Sequence, residues 1–258
     1  MASLHDDFRL LVDAVREAGD LAHTFFRSKV KSWRKADGSF VTEADLASNV
    51  LLEQRLMTGR SEYGWLSEES VDGEARLSCN RVWMVDPIDG TQAFLNHQTD
   101  WCVSVALVEH GSTVLAAVYN PARNEFFSAQ RGGGATLNGA ALRVQHGECL
   151  EGARMLASKG VLQAKNWKEP LPSINLMWAN SIAYRICLVA AGRADIACAF
   201  SQKWEWDLAA AVLVAEEAGC TVAGEDGRQI VFNNAKPRVD GLIVAPPALH
   251  RLLLARKK

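Results

Sequence analysis

The chain has 258 residues, 48% hydrophobic and 22% charged, which are ordinary values for a globular protein and exclude a disordered, collagen-like or coiled-coil organisation. Its length supports one large domain or two smaller ones sharing a core. A formal net charge of -2 provides no overall field to attract nucleic acid or an anionic membrane, so neither is expected as a partner.

From Ser3 to about Phe26, the residues Phe8, Leu11, Val12, Val15, Ala18, Ala22 and Phe25 recur at helical spacing and predict an amphipathic helix. A charged stretch from Arg27 ends in the turn dipeptide Asp37-Gly38. Thr42 to Asp45 has the spacing of a capping box, with Asp in place of the usual Glu. It opens a second helix whose expected apolar side is Leu46, Val50, Leu51 and Met57, and whose stop is Gly59. The short apolar run Val82-Trp83-Met84-Val85 predicts a buried strand. Three further strand-length segments, Trp101 to Val108, Thr113 to Tyr119 and Glu125 to Gln130, suggest an antiparallel meander joined by His110-Gly111 and Asn120-Pro121. Turns at Gly132-Gly133-Gly134 and Asn138-Gly139 close an α+β half, residues 1-139.

Residues 140-258 alternate helices and strands without hairpin signals and are expected to form an α/β half. Met155 to Ser158 is strand-like, and a loop-rich segment runs on to about Asn180. A helix from Ser181 to Ala191 stops at Gly192, a strand spans Ala194 to Phe200, and a helix from Trp206 to Ala218 stops at Gly219. The last strand is Leu242 to Ala245, and Pro246-Pro247 introduces a terminal helix.

The six cysteines (Cys79, Cys102, Cys149, Cys187, Cys198, Cys220) form no C-x-x-C pair, so zinc and thioredoxin-like sites lack their spacing. The first residues carry neither a basic nor an apolar leader region, and no apolar run approaches the roughly 20 residues of a membrane span. A reducing cytoplasm is the expected location. There is no G-x-S-x-G for a serine hydrolase and no G-x-x-x-x-G-K-[ST] for a P-loop.

The most informative peptide is Asp86-Pro87-Ile88-Asp89-Gly90-Thr91, directly after the buried strand. Two carboxylates three residues apart raise each other's pKa unless a cation neutralises them. On spacing alone the peptide could equally be an acidic turn capped by its own side chains. Ser67-Glu68-Glu69-Ser70 lies before the same strand, and Asp207 stands at the start of an expected helix, where an Asp is ordinarily an N-cap. No histidine accompanies these acids. An all-oxygen set points to a hard cation, magnesium or manganese, which suits phosphoryl transfer to water.

The blocks Glu68-Glu69-Ser70, Trp83-Met84-Val85-Asp86-Pro87-Ile88-Asp89-Gly90-Thr91 and Trp206-Asp207-Leu208-Ala209-Ala210, in that order, resemble the inositol monophosphatase family of lithium-sensitive, magnesium-dependent phosphatases. Val41 to Asp45 and Cys187 to Asp195 are also similar to that family, and the resemblance runs over nearly the whole chain. It implies a layered αβαβα fold, commonly a homodimer, and two to three magnesium ions. Carried over by position, Glu68, Asp86 and the Ile88 carbonyl would hold a first ion, and Asp86, Asp89 and Asp207 a second. A weaker third would use Glu68 with Asp45. Gly90 and Thr91 would contact the phosphate of a small phosphate ester, while Glu68, Thr91 and Asp45 would orient or deprotonate the attacking water.

The substrate is less determined. Where animal inositol monophosphatases place a Glu seven positions before the second-half Asp, this chain has Phe200, and Ala211 replaces a glycine of the W-D motif. Ala157-Ser158-Lys159 and Asn180 to Arg185 are similar to the 3'(2'),5'-bisphosphate nucleotidase branch. Lys159, Arg185 or Lys203 could then pair with a second phosphate, with Ser181 in the same segment, and Trp178 or Tyr184 could stack on a base. The readings left open are an inositol-monophosphatase-like enzyme, an adenosine 3',5'-bisphosphate nucleotidase, a histidinol phosphatase and a non-catalytic regulatory member.

Overall fold

A computed structural model describes residues 3–36, 38–144 and 147–258, so Asp37 of the expected turn lies outside the described residues. The first helix, α1 (Leu4–Phe25), is capped by Ser3, whose hydroxyl accepts the Asp6 amide, and Asp6 and Asp7 complement the helix dipole. A small hairpin of β1 (Ser32–Arg34) and β2 (Phe40–Thr42) leads into α2 (Glu43–Met57). The capping box forms: Thr42 accepts from the amides of Ala44 and Asp45, and the Asp45 carboxylate accepts the Thr42 amide.

A seven-stranded sheet follows, built from β3 (Gly64–Ser67), β4 (Arg81–Asp89), β5 (Cys102–Glu109), β6 (Ser112–Asn120), β7 (Glu125–Gln130), β8 (Gly134–Leu137) and β9 (Ala140–Ala141), in that spatial order. The expected meander is present as β5 to β7, and only β3 and β4 are parallel. A short helix, α3 (Thr91–Leu95), separates β4 from β5. A second sheet takes β10 (Arg154–Leu156), β11 (Asn175–Met177) and β12 (Ile196–Ala199), with α4 (Ile182–Ala190) between the last two. The chain continues through β13 (Lys203–Trp204), α5 (Ala209–Glu217), β14 (Thr221–Gly224), β15 (Arg238–Val239), β16 (Leu242–Ala245) and α6 (Pro247–Arg256). The second sheet has the order β11-β10-β12-β16-β14, and β13 pairs separately with β15.

Side-chain alternation along these strands produces the layers. On β4, Trp83 and Val85 join the cluster formed with α1 and α2, whereas Val82 and Met84 face Ala183, Leu213 and the rest of the α4 and α5 layer. On the second sheet, Leu156, Ala197 and Val244 face that same helical layer. Met155, Ile196 and Ile243 point the other way, onto Leu249 and Leu253 of α6. The order is therefore α1/α2, sheet, α4/α5, sheet, α6: the αβαβα arrangement that the resemblance implies. No described helix is long and apolar enough to cross a membrane.

Three expectations need correction. The buried face of α2 is Ala44, Asp45, Ser48, Asn49, Leu52 and Leu56; of the expected apolar side Leu51 and Met57 pack partly on the core while Leu46 and Val50 are exposed, because Asp45 and Asn49 turn toward the acidic edge and Ser48 toward α1. The β4 strand does not end before the Asp86 motif but carries it. The helix expected from Trp206 starts only at Ala209, so Asp207 is not its N-cap.

Candidate active site

Residues three apart on a regular strand point to opposite faces. Asp86 and Asp89 escape this rule because β4 is bulged: Asp86 pairs with Ser104 and Asp89 with Cys102, three steps against two. The inserted residue restores a common side for the two carboxylates, and Pro87 is tolerated because the ladder is interrupted there. Gly90 then turns the chain with φ of +93°. An added Cβ there would lie 3.0 Å from the Asp100 carbonyl, so only glycine fits.

Parallel pairing of β3 with β4 brings Glu68 to the same edge, its amide donating to the Val85 carbonyl at 3.1 Å. Asp207 arrives from the other half of the chain on the turn before α5, where its carboxylate accepts the Trp204 amide at 3.2 Å. Carboxylate oxygens of Glu68, Asp86 and Asp207 all lie within 4.8 Å of one another. Asp89 borders the group, but one of its oxygens accepts both the Ser181 hydroxyl at 2.5 Å and the Ala183 amide at 2.7 Å. Asp45 reaches it through Thr91, whose hydroxyl is 3.0 Å from the Ile88 carbonyl and 3.4 Å from Asp45.

These acids are poorly compensated. Burial, reinforced by Glu68, Asp89 and Asp207, raises the Asp86 pKa well above the usual carboxylate range. Burial together with Asp89 and Glu68 does the same to Asp207. Asp89 is pushed up to about 6 by burial, against its hydrogen bonds to Ser181 and Ala183. Asp45 is pushed up to about 7, again by burial, with the Thr42 hydrogen bonds opposing and Glu69 and Glu68 adding to the rise. The nearest countercharge is Lys35, with Nζ at 2.8 Å from Glu68 and 2.6 Å from Glu69. Sequence reasoning overlooks Lys35, which sits in a charged stretch with no motif around it. An all-carboxylate and carbonyl donor set fits a hard divalent cation, and the arrangement could hold one at Glu68, Asp86 and Asp207.

A cleft of about 540 Å³ opens beside the cluster, bordered by Asp89 and Asp207 and walled by Trp178, Arg185, Phe200 and Lys203. Arg185 donates to the Ala179 and Asn180 carbonyls, and its guanidinium lies 3.8 Å over the Trp178 ring. Other residues singled out in the sequence are placed elsewhere. Ser181 is fully buried, capping α4 and clamping Asp89, so it cannot meet a ligand. Tyr184 is buried with its hydroxyl donating to Glu125 at 2.7 Å, which makes it a core residue and not a stacking platform. Lys159 is exposed and does not line the cleft, whereas Lys165, which no sequence signal marks, does.

The chain matches the model of the inositol monophosphatase family over residues 4–257. It is 34% identical over 227 residues to an inositol-1-monophosphatase of Rhizobium meliloti, covering 81% of this chain and 82% of that protein. It is 30% identical over 231 residues to the Nus factor SuhB of Vibrio cholerae, covering 85% of each. Among solved structures, the SuhB protein of Bartonella henselae superposes with a TM-score of 0.84 at 25% identity, over 96% of each chain. An inositol monophosphatase of Thermotoga maritima gives 0.83 at 25% identity, over 97% of this chain and 96% of that one.

Proposed function

The chain belongs to the inositol monophosphatase family, and from that premise we propose that it hydrolyses a small phosphate monoester, with magnesium held by Glu68, Asp86, Asp89, Asp207 and the Ile88 carbonyl. The observation that carries the proposal is the convergence of Glu68, Asp86 and Asp207 within 4.8 Å in a place with too little positive charge of its own. When bound, hard divalent cations neutralise these acids, polarise a phosphoryl oxygen and acidify water.

The chain's own residues supply position and proton traffic. Thr91, held between the Ile88 carbonyl and Asp45, orients the attacking water, and Glu68 or Asp45 takes up its proton. Gly90, at a positive φ and in a space where a side chain would be crowded, lets the backbone approach the phosphate closely. Ser181 acts at one remove, fixing Asp89. Arg185 and Lys203 face the rest of the substrate across the cleft. Electrostatic preorganisation supplies the rate in such a site, and no covalent phospho-enzyme is needed.

A polyol monophosphate, as in the Rhizobium relative's name, is the first substrate to test, and lithium inhibition and a homodimer belong to the same reading. Phosphate release from inositol 1-phosphate, adenosine 3',5'-bisphosphate and histidinol phosphate, with magnesium and after chelation, tests it. Magnesium-dependent turnover of at least one is expected, and none with any of the three would sink the proposal. The SuhB relatives carry the name Nus factor, which suggests a scaffold acting through a protein partner. The retained cluster weighs against that as the sole role, because acids gathered around the buried Asp86 and Asp89 destabilise a scaffold that has no use for them.

A further inference from the structure

Asp207 reaches the cluster on a turn with little support of its own. The helix behind it starts after Leu208 with no side-chain cap. What holds the turn is Glu205, two residues earlier in the chain and fully buried. Its carbonyl accepts the amides of Leu208 and Ala209 at 3.1 and 2.9 Å, and its own amide donates to the Pro237 carbonyl at 3.1 Å. Its carboxylate lies outside the acidic group of Glu68, Asp86 and Asp207. It is turned instead to the loop between β14 and β15, where it accepts the Asn233 amide at 2.6 Å, the Asn234 amide at 3.2 Å and the Asn234 side chain at 2.6 Å.

The same two asparagines are held from the other side by the buried Arg76. Its guanidinium donates to the Asn233 side-chain carbonyl at 2.5 Å and to the Asn234 main-chain carbonyl at 3.0 Å. Both Asp72 oxygens accept from it as well, at 2.7 and 2.9 Å. Asn233 can serve both partners because it adopts φ of +63°, a left-handed conformation that asparagine tolerates better than most residues. Arg76 in turn is seated on β3, the strand that leads into Glu68: an added Cβ at Gly64 would lie 2.9 Å from the Arg76 Cβ.

A polar bridge therefore runs from the β3 segment through Arg76, Asn233 and Asn234 to Glu205 and the Asp207 turn. A loop anchor could end on any neighbouring strand, but this one ends on both segments that bring acids to the cluster from different halves of the chain. A buried network with its donors and acceptors matched is stiff. We infer that Glu205 and Arg76 are positioning residues, which set Asp207 opposite Glu68 and thereby fix the metal affinity of the cluster. The inference rests on the proposed role of Glu68 and Asp207 as metal ligands and on no particular substrate.

The experiment measures magnesium binding by calorimetry, with the metal alone, in the wild-type chain and in Glu205→Gln, Arg76→Lys and Asn234→Ala. Melting in chelator is recorded beside it. Glutamine keeps the shape of Glu205 but offers one acceptor oxygen to the three donors, and lysine keeps the Arg76 charge without its fork. Glu205→Gln and Arg76→Lys should each weaken magnesium binding about tenfold, the effect of groups that support metal ligands from behind. Asn234→Ala, at an exposed position, removes one donor and should weaken it about threefold. The magnesium concentration giving half-maximal phosphate release should rise by the same factors, while kcat at saturating metal stays within about threefold of wild type. Asp7→Asn disturbs a buried carboxylate away from the bridge, and it should melt lower yet bind magnesium as the wild type does. Bridge variants that behave like Asp7→Asn, less stable but unchanged in metal affinity, overturn the inference. If a buried variant does not fold, unchanged affinity in Asn234→Ala overturns it equally. No magnesium binding by the wild type would overturn the metal-site reading and the bridge with it. Binding that follows the bridge without hydrolysis of any ester would uphold the bridge and overturn the phosphatase reading alone.

Discussion

Two buried aspartates, one beside the start of β4 and one near its end, show how differently this fold treats negative charge. Asp7 of α1, fully buried, is met by Arg60 at 2.6 Å, Arg81 at 3.1 Å and the Tyr63 hydroxyl at 2.7 Å. Asp86, near the other end of the β4 strand that begins with Arg81, is as deeply buried but accepts the Ile88 amide at 3.0 Å and is otherwise surrounded by Glu68, Asp89, Asp207 and Asp45. Glu205 falls in with the first, its carboxylate satisfied by the Asn233 and Asn234 amides and the Asn234 side chain. Where charge serves the fold, the chain supplies its own donors. At the acidic cluster it supplies Lys35, with Arg185 and Lys203 acting on Asp89 and Asp207, which leaves the carboxylates in excess in an arrangement that could hold a cation.

The same substitution at the two aspartates should therefore have opposite consequences. Asp86→Asn is expected to reduce phosphate release on the order of a thousandfold, while raising the melting temperature in chelator by relieving like-charge repulsion. Ordinary turnover in that variant would break the contrast. Asp7→Asn should cost about 3 kcal/mol by removing the carboxylate partner of Arg60 and one carboxylate partner of Arg81, which keeps Glu109, read as a lower urea midpoint.

Magnesium should stabilise the wild-type chain by about 2.7 kcal/mol at a hundredfold excess over its dissociation constant and leave Asp86→Asn nearly unmoved, which thermal shift would record. The pH dependence of the chelated protein sharpens the point. Asp45 and Asp89, ordinarily ionising near 3.8, are raised in the folded chain to about 7 and about 6. The folded state then holds more protons than the unfolded one between those values, so this contribution is complete below 3.8 and is lost as pH rises through 6 to 7. Melting temperature in chelator should accordingly drop from pH 5 to pH 7.5, and drop less in Asp45→Asn. The smallest effect is expected from Ser181→Ala, about 1 kcal/mol from a lost helix cap, with activity falling further than stability because Asp89 is freed.

Local signals account for much that was legible. The α1 stripe, the Thr42 capping box, the β5 to β7 meander and the Pro246-Pro247 entry to α6 depend on neighbours within a few residues, and each is where its spacing puts it. The apolar side of α2 is only half legible, Leu51 and Met57 packing on the core while Leu46 and Val50 are exposed, because Asp45, Ser48 and Asn49 take inward positions through their hydrogen bonds. Asp207 looked like a helix cap because an Asp before a run of alanines has that form; its position within 4.8 Å of Glu68 and Asp86 depends on a crossing between halves that local pattern does not encode.

The sequence by itself determined which residue types could do the chemistry: a set of acids without histidine, in blocks whose order marks the family. The tertiary structure decided which of them meet. A one-residue bulge turns Asp86 and Asp89 to one side, parallel pairing sets Glu68 beside Asp86, and the packing of α5 between two sheets delivers Asp207. Lys35 and Lys165 were chosen by tertiary structure alone, since a lone lysine has no pattern until something folds against it. Spacing along a chain fixes neighbours on an element, and burial across elements fixes the electrostatics of a site.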